Sequence, residues 1–203
     1  MKFYVQAALA ALLVCAPGWS ASAEPVGNTS AVIPNASQVP PQGTRSDLKL
    51  KDPIIRNAEL ATAERGALEV TFLDGSKLTM GQNSRLTVDE YVYSGPGGTG
   101  KQTIRYTKGI FRFVSGSIPK ENVKVETPTV TIGIRGTIFR SALDDDGKGA
   151  ISVEYGPNGE EYEVVVTSKE TGKTIVLKSG QKVAFDSAGV FEGIVDGQVE
   201  GCN

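Results

Sequence analysis

Along most of this chain apolar and polar residues alternate with a period of two, the spacing that sends successive side chains to opposite faces of an extended strand. Leu68, Val70 and Phe72 share one face, with Glu69, Thr71 and Leu73 on the other, and the pattern resumes after Asp74-Gly75 with Leu78 and Met80. Asp-Gly supplies the backbone freedom of a tight turn, so residues 66–80 read as a hairpin. Gly81-Gln82-Asn83-Ser84 marks a second break, and residues 84–93 (SRLTVDEYVY) read as a longer strand with Leu86 and Val88 opposite Thr87 and Asp89. A glycine-rich turn at 94–101 leads to residues 103–106, and after Gly109 a short apolar strand carries Ile110, Phe111, Phe113 and Val114. Val123 and Val125 precede Thr127-Pro128, which interrupts the ladder. Val130, Ile132 and Ile134 then oppose Thr129, Thr131 and Gly133. Gly136 suits a bulge or a close backbone approach before a strand over 137–143. Further strands follow at 150–155, 161–168, 174–178, 182–185 and 190–194, separated by Asp- and Gly-rich turns. Turn signals every eight to twelve residues or so predict an all-β fold: a compact roll, sandwich or short β-solenoid of about ten or more short strands.

The amino end departs from this pattern. Lys2, an apolar run from Val5 to Ala16 and Ala21-Ser22-Ala23 follow the order of a signal peptide over residues 1–23, which places the mature start at Glu24. The run is shorter than the roughly 20 residues a membrane helix needs, and Pro17-Gly18 breaks it. Cleavage therefore leaves no transmembrane span and sends the chain to the periplasm or beyond. Val14 stands before Cys15 where lipid attachment favours a small residue, which argues against a lipoprotein. Residues 24–47, with Pro25, Pro34, Pro40 and Pro41, read as a flexible leader in which only 30–33 suggests a strand. Residues 48–200 read as the all-β domain.

Composition narrows the chemistry. At 203 residues and 39% hydrophobic the chain is long enough to bury a core. Its formal charge of −2, with both signs interspersed, argues against nucleic acid as a partner. The chain contains no histidine, so Ser-His and Cys-His nucleophiles and histidine metal sites are excluded. Cys202 is the one thiol left after leader removal, which rules out an internal disulfide and leaves only an intermolecular bridge. Asp144-Asp145-Asp146-Gly147 has its acids consecutive and its glycine too early for a helix-loop-helix calcium site, so turn chemistry accounts for it. In residues 95–101 (GPGGTGK) the lysine is not followed by Ser or Thr and a strand comes next, which makes a hairpin tip and not a phosphate cradle. No metal or cofactor is called for. Acidic pairs such as Asp89-Glu90 and Glu160-Glu161 are adjacent in strand-like segments, where neighbours point to opposite faces.

Three segments together carry a family resemblance: residues 73–86 (LDGSKLTMGQNSRL), 108–116 (KGIFRFVSG) and 127–139 (TPTVTIGIRGTIF). They resemble the FecR domain, a bacterial envelope domain named for a periplasmic regulator of iron uptake, over roughly half of the chain. The resemblance implies an exported β-rich interaction domain in which Asp74, Gly75, Ser76, Ser84, Thr127, Pro128, Arg135, Gly136 and Thr137 match motif positions that maintain turns. Regulators of this type also join a cytoplasmic anti-sigma segment and a membrane helix to the periplasmic domain, and a cleaved chain is not expected to reach a cytoplasmic sigma factor. Arg135, between Gly133 and Gly136, is expected to cap strand carbonyls or pair with an internal acid, with recognition of a carboxylate or phosphate as its other role. Tyr91, Tyr93 and Tyr106 are surface candidates for binding, whereas Phe111, Phe113 and Phe139 belong to the core. Two function classes follow. One is a non-enzymatic interaction or signal-sensing module whose partner is another envelope protein or a cell-surface glycan. The other is an accessory glycan hydrolase whose carboxylates converge in a pocket.

Overall fold

The computed structural model describes residues 24–136 and 138–201, and its strands β1–β17 are numbered in chain order. They form two sheets that share one long strand. Sheet A runs, neighbour to neighbour, β4 (Pro53–Ile55), β1 (Pro25–Ile33), β6 (Ala67–Phe72), β7 (Lys77–Met80), the second half of β9 (Gly100–Val114), β12 (Ile138–Leu143), β13 (Gly149–Val153), β16 (Gln181–Phe185) and β17 (Val195–Asp196). Sheet B runs β3 (Ser46–Asp47), β2 (Ala36–Val39), β5 (Glu59–Thr62), β8 (Arg85–Tyr93), the first half of β9, β10 (Val123–Glu126), β11 (Val130–Arg135), β14 (Glu163–Ser168) and β15 (Thr174–Lys178). Every pairing is antiparallel except β9 with β10. The sheets face each other across one core: Phe72 of sheet A stacks on Tyr91 of sheet B with ring centroids 5.6 Å apart, and both belong to the same buried cluster. This two-sheet packing with a shared strand is a compact all-β fold that does not close into a barrel.

The switch of β9 between sheets has a local cause. Before Lys108 its buried core side chains are Gln102, Ile104 and Tyr106; after it they are Phe111 and Phe113, so the inward parity changes within one strand. Gly109 absorbs the change at φ +110°, and a Cβ there would stand 2.1 Å from Ser84 Oγ. Ser84 is buried and its hydroxyl accepts the Ile110 N–H at 3.0 Å. A bend that only glycine tolerates, locked by the serine of the preceding turn, lets one strand serve both layers. Tyr106 and Phe111 stack across the bend at 3.9 Å.

The amino-terminal part of the described chain differs from the expected flexible leader. β1 lies between β4 and β6, β2 pairs with β5, and Val26, Ala36 and Leu48 are buried in the core. The prolines fall where they cost no ladder bond: Pro25 opens β1, Pro34 lies just beyond its end, and Pro40 and Pro41 follow β2. The proposed signal peptide, Thr137 and Cys202 lie outside the described residues. Near the other end the expected strand over 190–194 gives way to a single bridge at Phe191 and the short β17. Beyond it the chain straps over β13: Gln198 donates to the Val153 carbonyl at 2.9 Å and the Val199 N–H donates to Ser152 Oγ at 2.8 Å.

Candidate recognition surface

Asp74, Gly75 and Ser76 tie their own turn to Tyr91 of β8 and to the segment at 116–117. The Asp74 Oδ1 atom accepts from the Ser76 hydroxyl at 2.6 Å, the Ser76 N–H at 3.2 Å and the Tyr91 hydroxyl at 3.2 Å. The Tyr91 oxygen in turn accepts the Asp74 N–H at 2.8 Å, and the Ser117 hydroxyl donates to the Asp74 carbonyl at 3.0 Å. Gly75 supplies the turn at φ +81°, and Gly116 lies so close that a Cβ would meet Asp74 Oδ2 at 2.4 Å. Burial, reinforced by the Asp74 carboxylate, pushes the Tyr91 phenol well above its ordinary range. Lys120 donates to the Gly116 carbonyl, and its ammonium is pulled below the usual lysine range by burial, with Asp74 opposing.

Tyr91 and Tyr106 are therefore not surface residues: both are buried in the core. Strict alternation from Leu86 and Val88 would turn Tyr91 outward, but a bulge between Val88 and Glu90 shifts the register by one and turns it in. Tyr106 follows Ile104 on the inner face ahead of the Gly109 bend. Tyr93 alone of the three is partly exposed, and its hydroxyl meets Ser117 Oγ at 3.1 Å. Thr127 caps the turn that opens β11: its hydroxyl oxygen accepts the Val130 N–H at 2.9 Å, with Pro128 inside the turn.

Arg135 sits differently from the expected internal anchor. Val130, Ile132 and Ile134 take the inner face of β11, so Thr131, Gly133 and Arg135 face outward. Arg135 is exposed, and its guanidinium makes no ion pair among the described residues. Nor do the flanking glycines pack the chain around it. A Cβ at Gly133 would meet nothing nearer than 3.8 Å, and Gly136 is demanded by its φ of +79°, with only Tyr162 at 3.8 Å near the place of its missing side chain. Arg135 instead borders an open cleft of about 640 Å³ on the outer face of sheet B. Gly133 and Val165 lie along it with Val123 and Ile134, and Lys120 and Glu121 complete its rim.

A second cluster was missed by sequence reading. Arg112 of β9 and Arg140 of β12 stand directly opposite each other across the ladder on the outer face of sheet A. Two like charges in that position repel, and Glu154 resolves the conflict. It accepts Arg112 Nε and Nη2 at 3.0 and 2.9 Å and also pairs with Arg140 Nε. Burial alone would raise the Glu154 carboxyl, but hydrogen bonds from both arginines outweigh it and hold the group below the usual carboxylate range. The signal was present in GIFRFV and IFRSA, where a single arginine interrupts an apolar run.

The structure is thus an all-β double sheet with an open cleft bordered by Arg135 on the outer face of sheet B. Residues 58–157 match the family described as FecR protein, so this part of the chain is a FecR domain. No curated protein matches the chain. Two crystal structures of a "putative anti-sigma factor" from Parabacteroides distasonis ATCC 8503, at 2.50 and 1.65 Å resolution, share the fold with TM-scores of 0.52 and 0.51 and 16% identity. The similarity covers 69% of this chain and 60% of theirs.

Proposed function

We propose that this chain is an exported, non-enzymatic interaction or signal-sensing module of the bacterial cell envelope, working in the periplasm or outside the cell. The observation that carries the reading is Arg135: an exposed guanidinium without an ion-pair partner among the described residues, on the rim of a cleft, within the segment that bears the family resemblance. Exposed arginines with a free planar fork are enriched where proteins recognise carboxylates, and they rank among the residues that dominate interface energies. The FecR match and the fold shared with an anti-sigma relative support a part in signal transfer. The partner is another envelope protein or a cell-surface glycan, and export is supported by the order of features in residues 1–23. An intact mass beginning at Glu24 in exported material checks that step; a chain retaining Met1 contradicts it.

The hydrolase alternative meets an obstacle in the cleft that brings Glu154 and Glu200 together. A glycosidase needs, beside its general acid, a carboxylate free to activate water or attack the sugar, and both oxygens of Glu154 are taken up by hydrogen bonds from Arg112 and Arg140. The functional test is capture of exported partners by the mature chain and by Arg135→Ala. Loss of a specific partner with the variant supports the binding reading, and capture of none by either protein contradicts it.

A further inference from the structure

Gly133 stands in the middle of β11, where glycine weakens a strand, yet the fold makes no use of it. Its φ lies outside the left-handed region, and an added Cβ would find only ordinary contact with the Val165 carbonyl at 3.8 Å and Val165 Cβ at 3.9 Å. The other glycines that lie inside described strands have an internal reason: a Cβ at Gly27, Gly100, Gly109 or Gly149 would come within 3.0 Å of a neighbouring atom. Gly109 is pressed against Ser84 and Gly116 against Asp74. A strand glycine without a packing reason marks a place where something outside the fold approaches the backbone.

What would approach is constrained by the surroundings. Gly133 pairs with Val165, and Val165 with Val176, so a bare apolar row runs outward across three strands from the cleft floor. Val176 at its end is 42% exposed. Arg135 lies on the same face two residues along, about 7 Å away by strand geometry. Arg135 and Lys120 border the cleft with Glu121, and Lys120 is already engaged by the Gly116 carbonyl. Glu163 stands opposite Arg135 across the ladder without forming an ion pair with it, so the guanidinium is the group left to meet a carboxylate. A flat apolar group laid over the glycine and a carboxylate reaching Arg135 satisfy both features.

We propose that this cleft binds an extended segment of a partner protein, with an aromatic side chain covering the Gly133 backbone beside Val165 and an acidic side chain, next to or two residues from it, on Arg135. Aromatic rings shield exposed strand glycines well, and aromatic and arginine contacts dominate protein interfaces. The proposal rests on the reading of the chain as an interaction module and names its contact.

The test uses the mature chain and short capped peptides carrying Phe and Asp two positions apart, followed by amide shifts in NMR titration. Perturbation is expected at Gly133, Arg135 and Val165, weakened at least about tenfold when Phe becomes Ala or Asp becomes Asn. Gly133→Val should keep or raise the melting temperature, since valine favours strands and has room, while abolishing the peptide response. Gly133→Ala should follow it in milder form. Wild-type binding by Gly133→Val, shifts centred elsewhere, no shifts at all, or a cleft that answers only to soluble glycan fragments overturns the proposal. So does a collapse in stability of both variants, which would give the glycine an internal role. Retained capture of an Arg135-dependent partner by Gly133→Val would sink this inference alone, whereas a chain that captures nothing in either form sinks the functional reading beneath it.

Discussion

At the scale of single residues, glycines with the same sequence signature carry opposite burdens. Gly109 and Gly136 both interrupt apolar strands at positive φ, but only Gly109 is also closed in by a neighbour. Gly109→Ala is expected to destabilise the chain by about 3 kcal/mol or more, because the new Cβ must displace Ser84 and break the bond from the Ile110 N–H. Gly136→Ala should cost only the left-handed conformation, about 1–2 kcal/mol. Thermal or denaturant unfolding of the two variants checks the order, and equal losses would show that the Gly109 bend is not the junction between the sheets. The sequence marked Gly136 as crowded because it stands between β-branched runs. Crowding, however, depends on what lies across the gap, and no local pattern shows that Ser84 lies over Gly109 while the space over Gly136 is open.

At the scale of elements, alternation located most strands of the FecR domain, because a half-buried sheet imposes its period wherever one face is wet. It failed where pairing, not pattern, decides. Tyr91 turned inward through a bulge, and β1–β3 formed in a proline-rich stretch because β5 and β6 offered edges to pair with. The ion network across β9, β12 and β13 gives a pH signature. Glu154 has a folded pKa below its unfolded value near 4.5, so its contribution is fully present above that value and disappears as pH falls through the depressed folded pKa. Melting curves of the parent and Glu154→Gln should therefore differ most above pH 4.5 and converge in stronger acid. A gap that stays constant down to the lowest pH would mean that the carboxylate charge contributes nothing.

At the scale of the whole molecule, two sheets threaded by β9 produce one core and two outer faces with different work. On sheet A, Arg112 and Arg140 are consumed by Glu154 and the carboxyl-terminal strap covers Ser152, so that face is spent on stability. On sheet B, the row from Gly133 to Val176 and the Arg135 fork are left to solvent. The all-β class and the local turns Asp74–Ser76 and Thr127–Val130 were legible in the sequence, since their hydrogen bonds join residues two or three apart, whereas the reach of Ser84 to Ile110 was not. The side of the sheet on which Arg135 stands was also legible by counting from Ile134, yet the lack of an ion pair with Glu163 across the ladder was not, because it depends on the assembled surface. The central claim is that Arg135 serves recognition and not the scaffold. The measurement that tests it most directly is the melting temperature of Arg135→Ala beside its capture of exported partners: the parental melting temperature with a partner lost is the expected result. A clear drop in stability with capture intact would return Arg135 to the scaffold.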